Sequence, residues 1–363
     1  MENKNPHVMP EIDRSKGMEI GLYSLGEHMP NPHTGELIPA SRRLKEIVEA
    51  AKMAEDAGLD VFQVGESHQE HFVSQAHLVL LSAVAQATSK IKISSGSTII
   101  STSDPVRVFE DASTIDLLSD GRMEVVAGRA SRVGLYELLG YSLNDYEALF
   151  EEKFELFLKI NENKTVNWNG EFRAPLKDAQ VIPRPENNEE GLPIWRAVGG
   201  SLASAQKAGR IGVPMYQAHL GGPAEAFKSR IDLYRQTAFE NGFDPDNLPV
   251  ATAGFLYIRE NMMDAYREYY PHINEGMKLS NGQGFPKEAF AQGQDVKSVI
   301  NVGSPEHIVE KILYQHEMFN HDRYIAQIDF GGVSIDNVKR TIDLLGEKVV
   351  PEVKKYTKQT KGE

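Results

Sequence analysis

Runs of consecutive apolar residues alternate along this chain with segments whose apolar positions recur every three or four residues. The runs cover residues 18–25, 61–64, 91–100, 123–127, 194–198, 213–217, 250–258 and 324–330. A short apolar run ended by glycine, serine or a charged residue is the pattern of a strand covered on both faces. Helical spacing fills the intervals. After Ser41, residues Leu44, Ile47, Val48, Ala51 and Ala54 form one stripe, and Gly58 stands where that helix stops. Further helices are predicted over 78–87, 105–118, 150–160, 201–211, 223–241, 262–277 and 338–345. Ser304-Pro305 supplies the cap and first-turn proline of another. Eight strands, each followed by a helix, predict an α/β protein: a (β/α)8 TIM barrel formed as one domain over residues 18–356.

Two excursions interrupt the alternation. The first, residues 164–193, opens with TVNWNGEFRA at 165–174, where Asn169-Gly170 predicts a hairpin turn between two short strands. The second, residues 280–301, is rich in glycine and glutamine without a clear period, as lids and binding loops are. Residues 1–17 read as a mobile polar leader without the apolar core of a secretion signal. Residues 357–363 read as a polar tail.

Composition narrows the function. A hydrophobic content of 40% is ordinary for a globular protein. A formal charge of −13 argues against nucleic acid or an anionic membrane as partner. The absence of cysteine excludes disulfides, thiolate metal sites and cysteine nucleophiles. No run approaches the ~18 apolar residues of a membrane span. The expectation is a cytoplasmic protein acting on a small molecule.

In a barrel of this type the chemistry gathers at the C-terminal strand ends. The strongest motif there is VGGSLASAQKAG at 198–209. Gly199 and Gly200 permit close approach of backbone to a ligand, and Ser201 opens a helix whose free N–H groups and dipole favour an anion. An ordinary capped turn would use the same residues. Arg129 follows the fourth strand, where a guanidinium can grip a phosphate or pair with Glu124 or Asp120; Arg132 is a rival for that role. Gly96-Ser97-Thr98 sits inside the third run, and glycine within a strand marks a bulge or a close approach. Glu66-Ser67-His68 ends the second run, with His68 beside Glu66 as a candidate acid–base pair. His219 is a further loop histidine near the mouth. His68-Gln69-Glu70-His71 falls one residue short of a zinc-protease motif, so no metal site is assigned. No GxGxxG follows a strand and no GxxxxGK[ST] occurs.

The words GLDVFQVGESHQEHF at 58–72 and DPVRVFEDASTIDLLSDGRMEVVAGR at 104–129 resemble the bacterial luciferase-like monooxygenase family, and the resemblance extends over nearly the whole chain. It implies a flavin or deazaflavin oxidoreductase. The leading expectation is a monooxygenase using reduced FMN and O2 on an organic substrate, the reduced flavin being delivered by a separate flavin reductase. Gly199, Gly200, Ser201, Ser204 and Arg129 would hold the phosphate. Gly96, Ser97 and Thr98 would lie against the flavin ring, with a non-proline cis peptide at Gly96–Ser97. Many family members carry Glu-His-His where this chain has Glu66-Ser67-His68, which leaves His68 and Glu66 as catalytic candidates. The family commonly pairs two subunits through its early helices; here Val79, Leu80, Val84, Val108, Ile115 and Leu118 suggest a homodimer. Other readings are a deazaflavin-dependent hydride-transfer enzyme, a non-catalytic flavin-binding protein and an unrelated phosphosugar barrel enzyme.

Overall fold

The structure is a computed structural model and describes residues 5–130, 135–185 and 191–359. Arg132 lies outside them. In chain order the elements begin with β1 (Glu19–Ser24), α1 (Ala40–Asp56), β2 (Val61–Val64), α2 (His77–Ala87), β3 (Lys92–Ser95), β4 (Thr98–Ile99), α3 (Pro105–Leu118) and β5 (Met123–Gly128). They continue with α4 (Leu135–Leu138), α5 (Tyr146–Glu162), β6 (Val166–Trp168), β7 (Leu176–Ala179), β8 (Ile194–Val198), α6 (Leu202–Ile211), β9 (Met215–His219) and α7 (Glu225–Glu240). The last are β10 (Val250–Ile258), α8 (Met262–Asn281), α9 (Lys287–Gln292), β11 (Asn301–Gly303), α10 (Pro305–Phe319), β12 (Arg323–Gln327), α11 (Ile335–Leu344) and α12 (Val350–Thr357).

Eight parallel strands close into a ring in the order β1, β2, β3, β5, β8, β9, β10, β12. The ring shuts where Glu19 of β1 stands beside Arg323 of β12. Almost every position of these strands is buried, because the outer face packs on helices and the inner face on the opposite wall. Helix ends follow local chemistry. Asp104 accepts the Val106 N–H ahead of Pro105, Ser304 accepts the His307 N–H ahead of Pro305, and Asn320 ends α10 in the left-handed region.

Arg323 crosses the barrel interior near its N-terminal end. Its side chain is fully buried and forms two hydrogen bonds to Glu124 of β5, at 2.5 and 3.0 Å, and another to Glu19 at 2.7 Å. Trp195 Nε1 donates to Glu124 at 2.8 Å, its ring lies 4.9 Å from the guanidinium, and Lys92 completes the set on Glu19 at 2.6 Å. Burial alone would raise the Glu124 pKa, but Arg323 outweighs it and the net shift is downward.

Several elements differ from the sequence reading. The third run, 91–100, is two strands separated at Gly96–Ser97, where the peptide bond is cis as the family resemblance implies. The hairpin in the first excursion is real, but its second arm is β7 and not 171–174. The Glu152 carboxylate accepts the N–H groups of Glu171, Phe172 and Arg173, which holds that stretch in a loop. The second excursion is partly ordered: α8 runs on to Asn281, α9 follows, and β11 pairs with β10. Buried Lys311 donates to the carbonyls of Gly293 and Asp295, both at 2.7 Å, and burial lowers its pKa to about 7. Within the leader, Asn5 donates to the Gly212 carbonyl at 2.7 Å and Arg14 to Asp322 at 2.6 Å. Of the residues expected on a subunit-facing surface, Leu80, Val84, Val108 and Ile115 are buried, whereas Val79 is 72% and Leu118 50% exposed. Among the described residues no helix is long and apolar enough to cross a membrane.

Replacing Arg323 leaves buried Glu124 with Lys92, at 4.0 Å, as its one cationic neighbour among the described residues, while Glu19 keeps Lys92 at 2.6 Å. Arg323→Met should lower the unfolding free energy by about 3–5 kcal/mol at neutral pH, read from the urea midpoint. Because the folded Glu124 pKa is depressed below the ordinary carboxylate range, the pair's contribution is present above that range and lost as pH falls through the folded value. The gap between wild type and variant should therefore narrow in acid. A midpoint unchanged at pH 7 refutes the assignment.

Candidate functional site

A cavity of about 500 Å³ opens at the C-terminal end of the barrel. It takes its walls from nearly every strand of the ring, including Tyr23, Glu66, Ser97, Arg129, Ser201 and Tyr216. Residues far apart in sequence meet there because parallel strands all end on the same side.

One side of the cavity is the turn from β8 to α6. Ser201 is the helix cap, its Oγ accepting the Ser204 N–H at 3.4 Å. Nothing stands within 4 Å of the positions a Cβ would take at Gly199 or Gly200, so both present bare backbone to open space. The Gln217 Nε2 donates to the carbonyls of Val198, Gly199 and Ala218, and Arg230 donates to that of Gly200. The turn's acceptors are thus occupied, while the first helical turn retains N–H groups without intrahelical partners. Among the described residues, the buried Ser204 hydroxyl has no hydrogen-bond partner.

Arg129 lies beside this turn. It does not pair with Glu124, which Arg323 holds, or with Asp120; its carboxylate neighbours are Glu147 at 3.8 Å and Glu151 at 4.0 Å. Its guanidinium stands 5.7 Å from the Tyr146 ring and 5.3 Å from the Phe150 ring. Glu151 also carries Arg196 at 2.6 Å and Lys207 at 2.9 Å. Burial raises its pKa, but Arg196 and Lys207 reverse the shift and hold the carboxyl below its usual range. Among the described residues, three cations of this cluster face two carboxylates.

The Gly96–Thr98 bulge forms the adjoining wall. A Cβ on Gly65 would meet the Gly96 carbonyl at 2.5 Å, and one on Gly128 would collide with Ser97 Oγ, so the neighbouring strands approach as only glycine permits. Gln63 supports the bulge from the barrel interior and accepts the Tyr216 hydroxyl at 2.8 Å. Gly96 and Ser97 line the cavity. Thr98 does not: it is buried, with Oγ1 2.8 Å from the His77 Nε2.

Glu66 faces the cavity, and its Oε1 lies 2.7 Å from the His68 Nε2. His68 is not part of the cavity wall and reaches it through Glu66. His219 is buried against Phe227 and Phe319, not exposed at the mouth, and burial lowers its pKa to about 3. Among the described residues no group of three His, Asp or Glu is placed to hold a metal. Sequence reasoning misses His77, Gln217 and the Arg196–Glu151–Lys207 cluster. The only signal for the cluster is Lys207 inside the 198–209 motif. His77 is hidden as the first residue of an apolar helix.

The model of the family described as luciferase-like monooxygenase matches residues 18–321. Among curated proteins, the chain is 24% identical over 260 residues to the alkanal monooxygenase alpha chain of the Kryptophanaron alfredi symbiont, covering 70% of each. Monooxygenase RslO1 from Streptomyces bottropensis superposes with a TM-score of 0.78 at 21% identity, over 92% of this chain and 99% of that one. The oxygenating constituent of 3,6-diketocamphane monooxygenase from Pseudomonas putida, solved in complex with FMN, gives 0.71 at 18% identity, covering 93% and 99%. An F420-dependent secondary alcohol dehydrogenase gives 0.68 at 19% identity with the same coverage.

Proposed function

The chain belongs to the luciferase-like monooxygenase family, and from that premise we propose that it is an FMN-dependent monooxygenase acting with O2 on an organic substrate. The observation that carries the choice of a phosphate-bearing cofactor is the β8–α6 turn. It combines bare glycine backbone, an unpartnered Ser204 hydroxyl and a surplus of cationic side chains at one end of the cavity. These residues fit FMN. Gly199, Gly200, Ser201, Ser204 and Arg129 would hold its phosphate, and Gly96 and Ser97 would lie beside its ring. Thr98 is reassigned from ligand contact to support of that wall. Bound reduced FMN supplies the electrons for oxygen activation.

The chain's own contribution is binding, orientation and proton management. Arg129 and the α6 N-terminus neutralise the phosphate. The strand ends exclude water from most of the ring. Glu66 is the ionisable group on the substrate side, with His68 positioned to exchange a proton with its Oε1. No dinucleotide fingerprint is present in the sequence, so a separate flavin reductase is the proposed source of reduced cofactor. Hydride transfer with a deazaflavin is the second reading, because an F420-dependent enzyme shares the fold. The proposed assembly is a homodimer resting on exposed Val79, Leu118, Leu138 and Leu143, and light scattering at micromolar concentration should give twice the chain mass. A monomer mass removes it.

The function is tested by titrating the protein with FMN, riboflavin and a deazaflavin coenzyme, then following O2 consumption and product mass with a flavin reductase present. FMN should bind more tightly than riboflavin. Arg129→Ala should weaken FMN by about tenfold or more and leave riboflavin unchanged. Equal binding of both in wild type shows that the phosphate site is misplaced. His68→Ala should slow turnover by a factor on the order of 10² with the FMN affinity preserved. Wild-type turnover in that variant takes His68 out of the mechanism. No oxygenated product at all favours hydride transfer or flavin carriage.

A further inference from the structure

His77 is the first residue of α2, and its imidazole is buried. It has no part in the chemistry proposed above. Its Nε2 stands 2.8 Å from Thr98 Oγ1, and its Nδ1 stands 3.7 Å from Glu66 Oε2. That same Oε2 accepts the Ile99 N–H at 2.7 Å, and the Glu66 N–H donates to the Ser97 carbonyl at 3.1 Å. Ser97, Thr98 and Ile99 are therefore each tied, in turn, to Glu66 or to His77. Ser97 and Glu66 line the cavity; Thr98 and His77 stand behind them.

The electrostatics select one arrangement of protons. A ring lone pair turned toward the Glu66 carboxylate would be repelled, so Nδ1 carries the hydrogen and Nε2 accepts from the Thr98 hydroxyl. Burial lowers the imidazole pKa, with Glu66 opposing, and the net shift is downward, which keeps the ring neutral. Hydroxyl, imidazole and carboxylate stand in the order of a hydrolytic triad. The Thr98 hydroxyl is nonetheless buried and off the cavity wall, so no substrate carbonyl can reach it. What the three groups accomplish is placement.

We infer that His77 is a positioning residue that, through Thr98 and Glu66, fixes the Ser97 wall of the cofactor cavity and orients the Glu66 carboxylate within it. The cofactor part of this rests on the flavin reading of the site; the clamp itself does not.

Three variants test it: His77→Phe, His77→Gln and Thr98→Val. The readouts are amide hydrogen exchange at Ile99 in the flavin-free protein and FMN affinity by fluorescence quenching. His77→Phe should speed Ile99 exchange and raise the FMN Kd, each by about tenfold. His77→Gln, whose amide can still meet Thr98, should restore most of both. Thr98→Val, which loses only the Thr98 bond, should move both readouts the same way and no further than His77→Phe, and the double variant should be no worse than His77→Phe, because the shared bond is already lost there. Unchanged exchange and affinity in folded His77→Phe overturn the inference. So does His77→Gln behaving as badly as His77→Phe, since that marks simple packing. If His77→Phe does not fold, wild-type values in Thr98→Val overturn it equally. A wild-type protein that binds no FMN defeats the cofactor reading alone, and the Ile99 exchange series still decides the clamp.

Discussion

Arg323 spans the barrel from β12 to β5, two strands separated on the ring by β1, β2 and β3. A closed sheet has no free edge to set its registration, and an apolar interior tolerates slippage because one aliphatic contact resembles the next. A guanidinium that must meet Glu124 with two parallel bonds and Glu19 with a third does not tolerate it. The contact sets the last strand opposite the fourth strand of the ring and brings β12 against β1. The eight strand ends above it, and hence the cavity walls, inherit that registration. A specificity role of this kind is compatible with modest net stabilisation, because burial of the charges offsets much of their attraction.

Above the floor, the mouth is shaped by close backbone contacts. Gly65, Gly96 and Gly128 lie on three consecutive barrel strands or their ends and admit the Ser97 bulge between them. Glu66 then ties that bulge through both its backbone and its carboxylate. The bulge, the Glu66 carboxylate and the β8–α6 turn are consequently parts of one rim, carried by strands whose positions the buried ion pairs set. The excursion between α8 and β11 carries the short helix α9. It is anchored at one end by Lys311 on α10, whose amine holds two loop carbonyls.

Much of this architecture is legible in the amino-acid sequence. The eight apolar runs correspond to the eight ring strands because burial on both faces gives a pattern that depends little on tertiary detail. The 198–209 motif is legible for a similar reason: glycines, a cap and a helix start are local features. What stays hidden depends on long-range partners. Thr98 reads as a cavity residue by its neighbours Gly96 and Ser97, but the alternation of a strand turns it to the other side, where His77 waits. Arg129 has acidic candidates nearby in sequence, yet its actual neighbours sit on α5 because Glu124 is taken from across the barrel. The second arm of the hairpin is β7 rather than 171–174 because a helix carboxylate, Glu152, captures the intervening amides. Each difference is a tertiary contact overriding a local preference.

The two charged clusters of the barrel show how burial separates structure from function. At the floor, Arg323 and Lys92 stand against Glu19 and Glu124, two cations for two anions, all directly bonded. Such a set is electrically complete and asks nothing of a ligand. At the mouth, Arg129, Arg196 and Lys207 stand against Glu147 and Glu151. Glu151 is shared by all three cations, and Arg129 holds the weakest claim, at 4.0 Å against 2.6 and 2.9 Å. A guanidinium left under-compensated beside a helix N-terminus creates a local positive field in a chain whose net charge is −13. The field is therefore placed and not general. On the proposed reading it would draw an anion to the β8–α6 turn, while the net negative charge of the chain disfavours polyanions. That combination suits the small phosphate-bearing ligand proposed above better than a nucleic acid, and its residues come from α5, α6, β8 and the end of β5, which barrel closure brings together.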